Sequence, residues 1–106
     1  MTETEINKTI ADNLALIRKN TFQMVQGKKK LKRKHLTQTE VGNAINVTFQ
    51  QVQKFEKGRN NISSAKLKIL ANFFGLPVGK MFEPMETYYK EIGVDNEVND
   101  NVVLDN

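Results

Sequence analysis

The sequence has no cysteine and a single histidine, His35. No disulfide framework and no thiolate metal site can form. His35 has no second imidazole or thiol with which to share a metal, and it reads as an exposed loop residue. Long apolar runs are missing as well. The most apolar segment, residues 69–78, is interrupted by Asn72, Gly75 and Pro77 and is far too short to span a bilayer. The opening residues, Met1-Thr2-Glu3-Thr4-Glu5, are acidic and polar, where a secretory signal needs a basic start and an apolar stretch. These absences predict a cytoplasmic protein with no membrane partner. A length of 106 residues suits one domain with one modest core.

Basic residues are absent from residues 91–106, which hold 5 of the 12 acids and carry −5. All 16 Lys and Arg lie in residues 1–90, beside the other 7 acids, for a net +9. A basic body with an acidic tail points to a polyanionic partner. Charge alone does not separate nucleic acid from a membrane surface or an acidic protein.

Residues 6–26 read as one long helix, with Ile6, Ile10, Leu14 and Ile17 at steps of four and three and Met24 or Val25 continuing the stripe. Gly27 is followed by Lys28-Lys29-Lys30-Leu31-Lys32-Arg33-Lys34. Like charge at this density repels along a helix, which predicts a frayed end or a mobile loop. A second helix starts near Thr37, with Glu40 at capping-box spacing and Val41 and Ile45 on its buried face. Asn46 suits a left-handed turn. Thr48 caps a third helix, Phe49 to Lys57, that buries Val52 and Phe55 and stops at Gly58. Ser63 caps a fourth, with Leu67, Leu70, Ala71 and Phe74 on one face, ending at Gly75. Pro77 opens a short fifth helix through Phe82, and residues 85–92 can form one more. Phe73, Phe74 and Phe82 read as core. No strand shows convincing alternation. The chain thus divides into a first helix and basic loop (1–35), a central helical core (36–92) and an acidic tail (93–106). The tail is read as disordered, with Val102-Val103-Leu104 able to dock on a partner.

Residues 38–57 carry the function. Two short helices joined by a tight turn cross steeply, which demands apolar residues at Val41, Ile45, Val47, Val52 and Phe55 and a small residue, Gly42, at the closest approach. Phe49, Gln50, Gln51, Gln53, Lys54 and Lys57 are left exposed. Folding gives no reason for an outward face of three glutamines and two lysines. Gln can present a donor and an acceptor together to an adenine edge, and Lys can reach guanine or phosphate.

The run LTQTEVGNAINVTFQQVQKFEKGRN resembles the helix-turn-helix of the Cro and phage-repressor (XRE) family, and ISSAKLKILANFFGLPVGKMF resembles the two helices that follow it. The likeness covers about residues 36–82 and extends more weakly over helix one. It implies an all-α, five-helix, lambda-repressor-like domain that binds double-stranded DNA as a bacterial transcription regulator with a repressor role, associated with the nucleoid. By the same resemblance, Thr48, Phe49, Gln50 and Lys54 contact bases. Gln38 grips phosphate, joined by Gln51, Gln53, Lys57, Arg59 and Asn60. Phe49 is unusual at a base-reading position and can meet thymine methyl groups. Glu56 matches a family glutamate that forms a structural ion pair with helix one, for which Arg18 is a candidate. The sequence departs from the family in having Asn46 where Gly is usual. It also has about ten extra residues before the motif, which leave the place of helix one open.

The resemblance also implies a homodimer on a two-fold operator, with Pro77, Val78, Met81, Phe82 and Tyr88 as the candidate dimer surface. No cofactor, small-molecule substrate or catalytic set is implied, so the chain is not read as an enzyme. Ser63-Ser64-Ala65-Lys66 has the spacing of penicillin-binding enzymes without their other motifs. Residues 75–81 are one residue short of a phosphate loop and have Met81 where Ser or Thr must hold magnesium. Alternative readings are the antitoxin of a toxin–antitoxin pair, or an adaptor that kept the fold without DNA binding. The lysine run is either a phosphate grip or a solvated loop.

Overall fold

A computed structural model describes residues 1–25, 28–32 and 36–91. The first helix, α1 (Glu3–Lys19), starts at a capping box: the Thr2 hydroxyl accepts from the Glu5 N–H at 3.1 Å, and the Glu5 carboxylate accepts from the Thr2 N–H at 2.7 Å. Those bonds to Thr2 hold the Glu5 carboxyl below its ordinary pKa. Along α1, Ala11, Leu14 and Ile17 are buried, while Ile6 and Ile10 are half-buried nearer the open end.

The helix stops at Lys19, short of the predicted residue 26. Asn20 takes extended backbone (φ −138°, ψ 114°), and the chain enters an antiparallel hairpin of β1 (Thr21–Val25) and β2 (Lys28–Lys32). The helix through Met24 and Val25, the basic loop and the absence of strands are all corrected by this. Thr-Phe-Gln-Met-Val is dense in residues that suit a pleated strand. The expectations for His35 and for the acidic tail, including Val102-Val103-Leu104, lie outside the described residues.

Helices α2 (Gln38–Ile45) and α3 (Phe49–Glu56) follow the predicted caps. The Thr37 hydroxyl accepts from Glu40 N–H, with the reciprocal Glu40 bond to the Thr37 N–H, and the Thr48 hydroxyl accepts from Gln51 N–H. Asn46 adopts the left-handed conformation (φ 62°, ψ 43°). Gly42 is required by contact: a Cβ there would lie 2.5 Å from the backbone oxygen of Val47. This close approach lets the turn fold back so that Val47 N–H donates to Gly42 O at 2.9 Å.

Helix α4 (Ser64–Phe74), capped by Ser63, ends at left-handed Gly75 (φ 75°). A short 3-10 helix (Val78–Phe82) and α5 (Met85–Glu91) complete the described chain. One core joins Leu14 and Ile17 of α1, Val41 and Ile45 of α2, Val52 and Phe55 of α3, and Leu67, Leu70 and Ala71 of α4 to Leu76, Met81, Met85, Tyr88 and Tyr89. Each large apolar side chain so buried contributes about 1.5–3 kcal/mol.

Two expectations about the C-terminal region change. Met81 is fully buried and Tyr88 nearly so, which removes both from the candidate dimer surface. Phe73 and Phe82, read as core, stand 49% and 39% exposed. Helix α4 turns Leu67, Leu70 and Ala71 inward with Phe74 beside them, and one residue's rotation of about 100° carries Phe73 out of that face.

A polar side chain organises this end of the core. Asn13, 3% exposed on the apolar side of α1, donates through Nδ2 to Met81 O at 2.9 Å and Glu83 O at 2.7 Å, and its Oδ1 accepts from Met85 N–H at 3.2 Å. One amide therefore closes the 3-10 helix and starts α5.

Candidate nucleic-acid interface

Helix α3 has two sides. Val52 and Phe55 anchor it in the core. On the other side Phe49 is 46% exposed, Gln50, Gln53 and Lys54 are exposed, and Gln51 is half-buried. Gln50 and Lys54 lie one turn apart on one row, and Phe49 and Gln53 on the next. Thr48, at the head of the helix, is exposed. Its oxygen accepts from Gln51 N–H at 3.2 Å, and its hydroxyl proton remains able to donate to a base acceptor.

The backbone folds over the end of α3. Gly58 takes φ 72°, Gly58 N–H donates to Phe55 O at 3.1 Å, and Arg59 N–H reaches back to Lys54 O at 2.9 Å. This reversal brings Arg59 and Asn60 back beside the helix, and both are exposed together with Lys57. Thr48, Phe49, Gln50, Gln53, Lys54, Lys57, Arg59 and Asn60 are therefore all accessible on or beside α3.

Gln38 is placed differently. It is half-buried, and its Nε2 donates to Glu56 Oε1 at 3.1 Å. One amide hydrogen is committed to that carboxylate, and the second remains a donor. Glu56 also receives Arg18: Nε to Oε2 at 2.6 Å and Nη2 to Oε1 at 3.1 Å, with the two side chains only 14% and 8% exposed. The ion pair between helix one and α3 is thus present, and Arg18 is the partner. Arg18 Nη1 further donates to Leu36 O at 3.0 Å, and Leu36 N–H donates to Arg18 O at 2.9 Å. A single guanidinium ties the end of α1 to Leu36, just before the cap of α2, and to the end of α3.

The sequence model of a family described as Helix-turn-helix matches residues 28–80, half of the chain. The chain belongs to this helix-turn-helix family, of the XRE type. A Sinorhizobium medicae protein named "Uncharacterized HTH-type transcriptional regulator" is 35% identical over 48 residues, covering 45% of this chain and 34% of that protein. The "Uncharacterized HTH-type transcriptional regulator y4aM" of Sinorhizobium fredii is 37% identical over 59 residues, 56% of this chain and 41% of that protein. The "Uncharacterized transcriptional regulator in ATPase CF(0) region" of Rhodospirillum rubrum is 39% identical over 51 residues, 48% of this chain and 47% of that protein. The chain spans between a third and a half of the length of these curated relatives. No solved structure gives a significant match. Among the described residues, no helix is long and apolar enough to cross a membrane.

Two features of this helix-turn-helix domain were not predicted. The Asn13 clasp was detectable only as a polar residue between Ile10 and Leu14 on an otherwise apolar stripe. The bond from Gln38 to Glu56 had no sequence signal, because it depends on how α2 and α3 are set against each other.

Proposed function

We propose that the protein binds double-stranded DNA sequence-specifically and regulates transcription, as a repressor, with α3 in the major groove. The outward face of α3 carries the reading: Phe49, Gln50, Gln53 and Lys54 are exposed, while Val52, Phe55 and the Arg18–Glu56 pair hold the helix from behind. Gln50 and Lys54 are suited to base edges, with Thr48 donating from the helix start and Phe49 against a thymine methyl. Gln38, held by Glu56, offers its second amide hydrogen to phosphate, and Gln51, Gln53, Lys57, Arg59 and Asn60 surround the groove as further phosphate contacts.

A two-fold operator needs a self-contact. With Met81 and Tyr88 buried, the exposed apolar pair Ile69 and Phe73, one turn apart on α4, is the better candidate. The reading is tested by fluorescence anisotropy on a duplex selected from random sequence, over a salt series. Log affinity should fall linearly with log salt, by about 0.9 for each phosphate neutralised. A flat response contradicts DNA binding and favours the adaptor alternative.

A further inference from the structure

We infer that Phe49 makes the C5-methyl group of a pyrimidine the recognised feature at its position in the site, so that thymine and 5-methylcytosine are accepted alike there and methylation of a cytosine strengthens binding. The inference rests on the reading of α3 as the helix that enters the major groove, and it adds a form of regulation to that reading.

Phe49 is the first residue of α3, directly after the Thr48 cap. In a helix each Cα–Cβ bond tilts toward the N-terminus, so the Phe49 side chain leans toward the start of α3, the end that meets base edges in a helix-turn-helix. The ring is 46% exposed, whereas Val47 is half-buried and Val52 and Phe55 are buried. Among the described residues, it is the exposed large apolar side chain of the α2–α3 motif; the others, Met1, Ile69, Phe73 and Phe82, lie outside it. Its neighbours toward the head of the helix, Thr48, Gln50 and Gln53, are exposed and polar. A lone apolar side chain on a protein surface is ordinary. One set at the head of a recognition helix among hydrogen-bonding residues is not interchangeable with them, because it changes what that position can read.

The benzyl group has neither donor nor acceptor. Set against a guanine, an adenine or an unmethylated cytosine, it covers polar groups that it cannot pair, which is unfavourable. The thymine methyl is the apolar group of the major groove, and covering it takes apolar surface out of water on both sides of the contact. A cytosine methylated at C5 presents the same methyl at the same ring position. The two pyrimidines then differ at C4, where thymine has an acceptor and cytosine a donor. Gln50 and Lys54 have the polar groups to tell these apart, and Phe49 does not. The Phe49 contact therefore answers to the methyl rather than to the base. One buried methyl corresponds to about fourfold in affinity. A two-fold site repeats the contact in each half, for about fifteenfold in all.

The test uses the full-length protein and a duplex selected from a random pool, with anisotropy as the readout and thermal unfolding on each variant. Uracil replaces each thymine of the site in turn, which removes a methyl and nothing else. In the parent, one thymine in each half-site should lose about fourfold. In Phe49→Ala the same replacement should change nothing, and in Phe49→Leu it should keep part of its effect. The thymine–adenine pair at that position is then exchanged for cytosine–guanine, with and without a C5 methyl on the cytosine. The methyl should raise parental affinity about fourfold and leave Phe49→Ala unmoved. Melting temperatures should stay near the parental value, because the ring is half exposed. Phe49→Leu, which keeps apolar bulk, carries the comparison if Phe49→Ala does not fold. A site with no uracil-sensitive thymine, or a uracil effect undiminished in Phe49→Ala, overturns the inference while leaving DNA binding by α3 intact. A uracil loss without a gain from 5-methylcytosine overturns the equivalence of the two pyrimidines. A Phe49→Ala protein weakened equally on every duplex makes the ring a sequence-independent contact instead. A parent that binds no duplex overturns both this inference and the reading on which it rests.

Discussion

Arg18 and Glu56 form a pair that is nearly closed to solvent, and the donors to the Glu56 carboxylate among the described residues, Arg18 and Gln38, come from two other helices. Removing one partner strands the other charge without compensation, which typically costs about 3–5 kcal/mol. Arg18→Ala should therefore lower the melting temperature sharply and weaken DNA binding in step. Glu56→Gln, which keeps one acceptor oxygen, should be milder. Thermal unfolding followed by circular dichroism measures both, and near-parental stability in Arg18→Ala would contradict the tie. Gly42 offers a second residue-scale test. A methyl at that position meets the Val47 carbonyl at 2.5 Å, and the neighbour is backbone that cannot rotate away. Gly42→Ala should cost about 1–3 kcal/mol, as overpacking does. The need for a small residue at Gly42, the left-handed Asn46 and a structural ion pair for Glu56 could be read from sequence, because each follows from local spacing or from a family pattern, whereas Arg18 was one candidate partner until the contact was seen. The roles of Gln38 and Asn13 could not be, because both depend on contacts between elements far apart in the chain.

At the scale of elements, the predicted caps at Thr37, Thr48 and Ser63 coincide with the helix starts, since an N-cap is a local interaction within four residues. The failure came between residues 20 and 32. Met24 and Val25 fit a helical stripe and a strand alternation equally well, and only pairing with the lysine strand decides between them. Phe73 was misplaced for a similar reason: two adjacent phenylalanines cannot both face the core from one helix. Helix α5 depends on the Asn13 clasp, and it holds both tyrosines of a chain that has no tryptophan. Asn13→Ala would leave the Met81 and Glu83 carbonyls and the Met85 N–H without that partner, at about 1–3 kcal/mol for each buried group. Intrinsic tyrosine fluorescence then reports the loosening of α5 before global unfolding. Burial first, then the nearby charges of Tyr88 and Glu86, pushes the Tyr89 hydroxyl up to about 12 from an ordinary 10.0. Between those values the unfolded chain has lost the proton that the folded chain still holds. Stability contributed by the neutral phenol is complete below about pH 10 and falls as pH rises toward 12, by roughly 2–3 kcal/mol in all. Denaturant titrations across that window should show the loss in the parent, and Tyr89→Phe should lessen it.

At the scale of the whole molecule, the described chain is a helical core with a two-stranded hairpin between α1 and α2. Binding a symmetric site requires two copies, and the proposed self-contact is small. Phe73→Glu should shift light scattering at micromolar protein toward the monomer and weaken binding to a two-fold operator, with little change in melting temperature, because Phe73 is half exposed. A Phe73→Glu protein that remains dimeric places the contact elsewhere. The central claim is that α3 reads base sequence, and it is tested most directly by selecting bound duplexes from a random pool with the parent, Gln50→Ala and Lys57→Ala in parallel. The account predicts that Gln50→Ala loses preference at one or two positions of the site, costing about 1–3 kcal/mol on the best sequence, while Lys57→Ala keeps the parental profile at uniformly lower affinity. Identical preference profiles in all three proteins would contradict it.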